Sequence, residues 1–167
     1  MNSRIKVSLF DNWGKMRFDF VIVGAGSAGC ALANRLSEDG RYTVALIEAG
    51  PRDTSPWIHI PVGYFRTMGN PKMDWCYETQ EDAGIANRSI PWPRGRVLGG
   101  SSSINGLLYV RGQAQDYDGW AQMGCTGWSW SDVLPYFKRS ETWEGVDQTG
   151  LRGKSGPLSV QNSRLTR

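Results

Sequence analysis

Three glycines near the start of the chain follow a spacing that suits nucleotide chemistry. Gly24, Gly26 and Gly29 form a G-x-G-x-x-G pattern between a β-branched run and an alanine-rich stretch. In such loops the first glycine makes a tight turn, the second admits a pyrophosphate and the third lets helix and strand pack closely. The N-terminus of the following helix offers N–H groups and a partial positive charge to phosphate oxygens.

An acidic residue stands where a ribose-binding carboxylate is expected. Glu48 ends the next predicted strand, about 20 residues beyond the third glycine. A carboxylate there accepts hydrogen bonds from ribose hydroxyls and repels a 2′-phosphate. The pattern therefore disfavours NADP but leaves both NAD and FAD open, with a structural turn that binds no ligand as the alternative.

A second cluster of glycines and serines lies in "PRGRVLGGSSSINGLLYVRG", residues 93–112. Gly99 and Gly100 let the backbone come within van der Waals reach of a flat ring. The three serines 101–103 supply hydroxyls and successive backbone N–H donors, which suit anionic oxygens. Asn105 is both donor and acceptor, as the edge of a flavin requires. From the residues alone, an elaborate turn is the alternative.

The elements around the first loop read as a βαβ unit. Residues 18–23 are nearly all apolar, which predicts a strand buried on both faces. Apolar residues recur at helical spacing over 27–37, and Gly40 is expected to cap that helix in the left-handed conformation. Residues 42–48 form the second strand. A helical crossover of this kind joins parallel strands.

The rest of the chain is less regular. Residues 50–93 combine six prolines with scattered aromatic residues, which predicts a long excursion packed over the sheet or a ligand. Helices are expected over 115–123 and from Ser129 or Ser131 onward, with Pro135 in or near the first turn of the second. A turn-rich stretch then leads to a short strand at "PLSV".

Composition excludes several classes of protein. The net charge is +3, without a run of like charge, so a nucleic-acid surface is disfavoured. The three cysteines are isolated and form no CxxC pair, which favours reduced thiols in the cytoplasm. No apolar run approaches the ~20 residues of a membrane span. Residues 1–16 lack a signal-peptide core and are expected to be a disordered tail or a misassigned start.

Several motifs together resemble one family, the glucose–methanol–choline (GMC) oxidoreductases, which oxidise alcohols with FAD. "GRVLGGSSSINGLLYVRGQAQDYD" resembles the first signature of the family, and "DFVIVGAGSAGCALANRL…VALIEAG" is similar to its FAD-binding start. "GWSWSDVLPYFKRSE" and "GKSGPLSV" resemble further stretches, in the same order. The similarity runs from about Phe18 to Val160 and is greatest to choline-dehydrogenase-like bacterial members.

The resemblance implies a set of cofactor-binding residues and the fold that carries them. That fold is an α/β Rossmann-like FAD/NAD(P)-binding domain with an irregular aromatic- and proline-rich excursion. The pyrophosphate would be held by Gly24, Gly26, Ser27 and Gly29, and the adenosine ribose by Glu48. The flavin side would be lined by Arg96, Val97, Gly99, Gly100 and Ser101, and the isoalloxazine ring held by Asn105, Gly106, Leu107 and Leu108. The FAD would be non-covalent, because Ile104 stands where some members carry a flavin-tethering histidine.

The family's reaction needs a histidine base that lies near the C-terminus of its members, and this chain carries no match to it. The sole histidine, His59, matches no catalytic position and is expected to be structural. We therefore expect an N-terminal fragment, inactive alone, with residues 17–140 in the FAD-binding domain and 141–167 leading towards a substrate domain. An NAD-dependent dehydrogenase fragment and a non-enzymatic flavin-binding remnant are the alternatives. The expected location is cytoplasmic, or peripheral to the inner membrane, with a small alcohol as the substrate.

Overall fold

The computed structural model describes residues 17–162 and the backbone of residues 5–6. The chain divides into two compact units, Met1–Leu108 and Tyr109–Arg167. The domain division predicted from the sequence, 17–140 and 141–167, stays a prediction. The expectation of a disordered or misassigned start falls on residues outside the described part of the chain, apart from Ile5–Lys6.

The first unit contains the predicted βαβ motif. Strand β1 (Ile5–Lys6) is followed by β2 (Phe20–Val23), helix α1 (Ser27–Ser37) and β3 (Val44–Ile47). The described strands form a parallel sheet in the order β1-β3-β2, in which Phe20 stands opposite Val44 and Val23 opposite Ile47. Gly40 has a φ of +72° and ends the helical segment as predicted, donating its N–H to the Ser37 carbonyl at 3.1 Å.

The core of this unit lies between α1 and one face of the sheet. Ala25, Ala33, Val44 and Leu46 are buried there, and Ile22 packs against them. Strand β2 was predicted to be buried on both faces, and this prediction is wrong for the part of the chain described, where Val23 is 82% exposed. Three of its four residues are exposed, because the face of β2 that points away from α1 has no covering layer among residues 17–162.

Short elements fill the predicted excursion. They are α2 (Pro56–His59), α3 (Tyr64–Thr67), β4 (Tyr77–Glu78) and β5 (Pro91–Trp92), with 3₁₀ turns at Pro61–Gly63 and Ala83–Ile85. The buried carboxylate of Asp74 joins three points of this segment by accepting backbone N–H bonds from Gly69, Cys76 and Arg94 at 2.7–2.9 Å. Burial alone would raise the pKa of Asp74, but these N–H bonds outweigh it and lower the pKa.

A further 3₁₀ turn, Gly100–Ser103, lies near the end of the first unit. The second unit holds α4 (Ala114–Gln122), α5 (Trp130–Ser140), β6 (Glu141–Trp143) and β7 (Leu158–Val160). Both predicted helices are present, and Ser129 caps α5 in a capping box with Asp132. Pro135 was expected in or near the first turn and is the sixth residue of α5, just after that turn. Since proline has no N–H, the carbonyl of Ser131 loses its helical partner there. Strand β7 was predicted, and its parallel partner β6 was not.

A buried ion cluster holds this unit together. Glu141 is fully buried and lies between two arginines. One of its oxygens accepts from Arg152 Nη1 at 2.9 Å, and the other from Arg111 Nη2 and from the Gly153 N–H. Beside the cluster, the backbone N–H of Arg152, with the Thr149 hydroxyl and other N–H groups of the same turn, lowers the pKa of Asp147 to about 2. The carboxylates of Glu141 and Asp147 therefore both find their hydrogen-bond donors within the unit.

Candidate cofactor site

Gly24 turns the chain at the end of β2. Its φ is +95°, a conformation that L side chains rarely adopt, and its N–H donates to the Ile47 carbonyl at 2.7 Å. The turn therefore directs residues 25–27 across the carboxyl ends of the strands. That is the edge of an open parallel sheet where ligands bind.

Gly29 brings α1 close to the strand. A Cβ at this position would lie 1.9 Å from the Gly24 carbonyl oxygen and 3.4 Å from Ile22 Cγ2. The first i→i−4 bond of the helix runs from the Cys30 N–H to the Gly26 carbonyl at 2.9 Å. Gly26 is the N-cap residue, and no side chain caps this end of the helix. The N–H groups of the preceding residues 27–29 therefore face the N-terminal end of the helix, where an anion is stabilised.

Gly26 leaves space for a bulky anion. A Cβ built on it would meet nothing within 4 Å. Its backbone is extended, with a φ of −79°. The open side of the glycine and the uncapped helix N-terminus together form a cradle that fits a pyrophosphate. The residues present therefore fit the nucleotide part of the expected cofactor.

The second glycine cluster lies directly against this loop. The Gly99 N–H donates to the Ala25 carbonyl at 2.7 Å, and a Cβ on Gly100 would lie 2.8 Å from Gly26 Cα. The hydroxyls of Ser27 and Ser102 hydrogen-bond to each other. Two segments far apart in sequence are thus combined into one backbone-lined site.

Glu48 is bound to the rim of the same loop. Its Oε2 accepts from the Ala25 N–H at 2.8 Å and its Oε1 from the Gly50 N–H at 2.9 Å. Each carboxylate oxygen has a second acceptor position, so the half-buried side chain can still accept from hydroxyl groups. The geometry agrees with a ribose-binding role, which stays a prediction.

The side chains predicted to line the flavin side are mostly engaged within the protein. Val97 is 1% exposed and packs with Met73 and Ile104. Arg96 donates from Nη2 to the Pro71 carbonyl at 3.2 Å, and Ser101 Oγ accepts from the Gly95 N–H at 3.2 Å. Any contribution of Val97 to the cofactor therefore comes through its backbone, not its side chain. Its assignment, and those of Arg96 and Ser101, stay predictions.

The four residues predicted to hold the isoalloxazine ring lie at the surface of the first unit. Asn105 Oδ1 accepts from the Leu107 N–H at 2.9 Å, and Leu107 has a φ of +61°. Leu108 is 90% exposed, and Gly106 is exposed as well. Exposed leucines of this kind suit contact with a further apolar surface.

His59 has a structural contact, in line with the sequence-based expectation. Its Nε2 lies 2.6 Å from the Asp53 carbonyl oxygen, which ties the ring to its own loop. Gly50 is the site residue that sequence reasoning missed. A Cβ there would lie 2.0 Å from the Arg96 carbonyl oxygen, so only glycine lets the two segments meet. The sequence signal that could have identified Gly50 is its position two residues after Glu48.

The parallel βαβ unit, the glycine turn and the carboxylate at the end of β3 define a dinucleotide-binding domain of Rossmann type. Residues 18–166 match the family model described as GMC oxidoreductase, beyond Val160, where the similarity was expected to end. The chain belongs to the GMC oxidoreductase family.

Relatives agree with this assignment. An oxygen-dependent choline dehydrogenase of Brucella anthropi is 52% identical over 149 residues, which is 89% of this chain and 27% of that protein. A pyridoxine 4-oxidase from Mesorbium loti superimposes with a TM-score of 0.77 at 42% identity, over 86% of this chain and 28% of that one. A formate oxidase variant of Aspergillus oryzae, from a study of FAD modification, gives a TM-score of 0.77 at 34% identity, over 89% and 27%.

The comparisons confirm the predicted fold class and, at the level of the family, the choice of FAD over NAD. The chain spans about a quarter of the length of the relatives it matches. Within the described residues no helix is long and apolar enough to cross a membrane, and no group of His, Cys, Asp and Glu side chains is arranged to hold a metal ion.

Proposed function

We propose that this chain holds the nucleotide part of FAD, and one side of its flavin, in an enzyme that oxidises the CH–OH group of a small alcohol. The observation that carries the proposal is the contact of the two glycine clusters, in which the Gly99 N–H bonds the Ala25 carbonyl beside an uncapped helix N-terminus. Bound FAD supplies a hydride acceptor at its N5. The names of the relatives, choline dehydrogenase and pyridoxine 4-oxidase, support an alcohol as the donor.

Each part of the site has a separate role in this proposal. The N–H groups at the start of α1 and the open side of Gly26 bind the pyrophosphate, while Glu48 accepts from the ribose. The backbone of residues 99–101 and the Asn105 amide lie on the side towards the flavin. The protein residues thus bind and orient the cofactor, and none of them is assigned as a base.

An NAD-dependent dehydrogenase would leave the second glycine cluster without a role, and a non-enzymatic remnant would bind flavin without being part of any oxidation. The absorption spectrum of the purified chain tests the first alternative, because a flavin band excludes an NAD-dependent dehydrogenase. We also propose a cytoplasmic location, because Cys30, Cys76 and Cys125 are free thiols. A nucleic-acid partner is not part of the proposal, because the charges of the chain are nearly balanced.

Glu48→Arg is expected to weaken FAD binding by about 2–4 kcal/mol, because it removes the ribose acceptor and puts a cation against the loop N–H groups. Titration of the purified chain with FAD, followed by quenching of flavin fluorescence, measures the effect. Glu38→Arg makes the same charge change at an exposed position after α1 and should leave affinity unchanged. Equal affinity of the Glu48 and Glu38 variants would contradict the ribose assignment.

Flavin bound to this chain is expected to be released completely by acid precipitation. Ile104 has no nucleophilic atom, and its side chain is buried against Met73 and Val97 instead of facing a ligand. The absorbance of supernatant and pellet after precipitation measures the partition. A yellow pellet would show a covalent bond and would overturn the non-covalent assignment.

The chain alone is expected to show no alcohol oxidation above free flavin when supplied with FAD and an artificial electron acceptor. Removing the alcohol's hydroxyl proton needs a base within hydrogen-bond reach, and loss of such a base lowers rates by about 10²- to 10⁴-fold. His59, the sole imidazole, is bound to the Asp53 carbonyl. Turnover that disappears in His59→Ala would show that the active site has been misplaced.

A further inference from the structure

Asp74 is a buried carboxylate to which the proposed function gives no role. The residue is 2% exposed, and its side chain accepts three backbone N–H bonds. Two of the donors, Gly69 and Cys76, lie in its own loop. The third is the N–H of Arg94, at 2.9 Å and 20 residues further along the chain, at the start of the second glycine cluster. The carboxylate therefore fixes the main chain at the point where that cluster begins.

Main-chain bonds on both sides of this carboxylate join its loop to the cluster. The Trp75 N–H donates to the Arg94 carbonyl at 2.8 Å. On the other side, the Arg96 N–H donates to the Met73 carbonyl, also at 2.8 Å. The two bonds frame an antiparallel bridge, so the two segments hold each other in register.

Gly95 connects this bridge to the cofactor site. A Cβ on Gly95 would lie 2.2 Å from the Gly100 carbonyl oxygen, and the Gly95 N–H donates to Ser101 Oγ at 3.2 Å. The neighbouring Gly99 N–H donates to the Ala25 carbonyl of the nucleotide loop at 2.7 Å. A shift of the bridge therefore moves the backbone that lines the cofactor site.

We propose that Asp74 is a positioning residue of the cofactor site, which holds residues 94–97 so that the second glycine cluster meets the nucleotide loop. A carboxylate suits this role because hydrogen bonds to an ionised acceptor are roughly twice as strong as neutral ones. Burial strengthens them further, since the local dielectric is low. The effect of Asp74 on FAD rests on the proposed function, whereas its effect on the backbone does not.

Hydrogen exchange of the purified chain without FAD, followed amide by amide by nuclear magnetic resonance, tests the backbone effect. Asp74→Ala leaves three N–H groups without their acceptor. It should speed exchange of the Gly99 amide on the order of tenfold or more relative to that of Leu46 in β3. Asp74→Asn keeps the shape and one acceptor oxygen, so its exchange at Gly99 should be intermediate, and it carries the test if the alanine variant does not fold.

Two results of this measurement would overturn the proposal. Faster exchange confined to Gly69 and Cys76 would show that Asp74 orders its own loop alone. Equal acceleration of Gly99 and Leu46 would show that Asp74 supports the stability of the whole unit and not the position of the cluster.

Asp19→Ala is the matched control. Asp19 also joins two segments distant in sequence, because its Oδ2 accepts from the Thr43 N–H at 2.7 Å and from the Thr43 hydroxyl at 2.8 Å. It precedes β2, at the end of the strand opposite Gly24. Its loss should therefore leave both the exchange of the Gly99 amide and the affinity for FAD unchanged.

Titration with FAD, followed by quenching of flavin fluorescence, separates this inference from the proposed function. Asp74→Ala should raise the FAD dissociation constant on the order of tenfold, and Asp74→Asn should raise it less. If the unmodified chain binds no FAD, the proposed function fails, and the exchange of Gly99 alone decides the role of Asp74. If the chain binds FAD and the Asp74→Ala and Asp19→Ala variants bind it equally well, the role of Asp74 is overturned and the proposed function stands.

Discussion

Gly29→Ala is expected to destabilise the first unit by about 3 kcal/mol or more, because the new methyl group would overlap the Gly24 carbonyl oxygen. The Cβ would lie 1.9 Å from that atom, and the atom belongs to the backbone of the turn, which has no rotamer to change. Either α1 moves off the strand or the turn opens, and both separate Cys30 and Ile22 from their core. Urea unfolding followed by circular dichroism measures the loss.

Gly26→Ala is the matched control for space within the loop. Its Cβ would meet nothing within 4 Å, and its φ of −79° is one that alanine adopts. Stability should therefore be unchanged, while FAD affinity should fall by about 1–3 kcal/mol, since the methyl group occupies the pyrophosphate cradle. Unchanged stability of the Gly29 variant would contradict the packing argument, and unchanged FAD affinity of the Gly26 variant would contradict the location of the cradle.

Glu141→Ala is expected to lower the free energy of unfolding of the second unit by about 3–5 kcal/mol. The substitution removes the carboxylate that Arg111, Arg152 and the Gly153 N–H all bind. The largely buried Arg111 guanidinium then keeps the Leu151 carbonyl as an acceptor for Nη1 but has no counter-charge and no acceptor for Nη2. Breaking one partner of a buried cluster costs more than the cluster itself contributes, since the remaining charge stays away from water. The denaturation midpoint and hydrogen exchange of the Gly153 amide report the change.

Glu144→Gln is the control for this prediction. Glu144 is exposed and bonds the Ser159 hydroxyl, so its neutralisation should change stability by about 0.5 kcal/mol at most. A variant with both arginines replaced by methionine together with Glu141→Leu should recover much of the loss, because no charge is then left buried. Equal stability of the Glu141 and Glu144 variants would show that the cluster is not buried in solution.

Local signals were sufficient to predict the βαβ unit. The apolar run, the glycine spacing and the helical period over 27–37 all act within a few residues, and α1 begins and ends where the period does. The exposure of β2 could not be predicted from the apolar run 18–23. An all-apolar strand can be buried on both faces, but its sequence does not show whether a covering layer is present. Pro135 lies near the first turn of α5, as predicted, because the capping residue Ser129 sets the start of the helix.

The site was predicted in its parts but not in its assembly. Each glycine cluster could be interpreted from its own residues, yet their contact through Ala25 and Gly99 depends on the path of the intervening chain. Gly50 shows the same limit, since its close approach to Arg96 joins segments that no local pattern connects. The side-chain orientation of Val97, buried with Ile104, likewise follows from tertiary packing alone.

The hydroxyl contact between Ser27 and Ser102 spans 75 residues of sequence, and this separation has a consequence for how the protein is made. A loop of that length must close before the two glycine clusters can touch, and the entropy of closure is lost before the contacts reward it. During synthesis the first cluster emerges long before the second and cannot reach its final geometry until the second follows. The nucleotide loop is therefore expected to become rigid only after the second cluster has been synthesised, although its own residues leave the ribosome earlier.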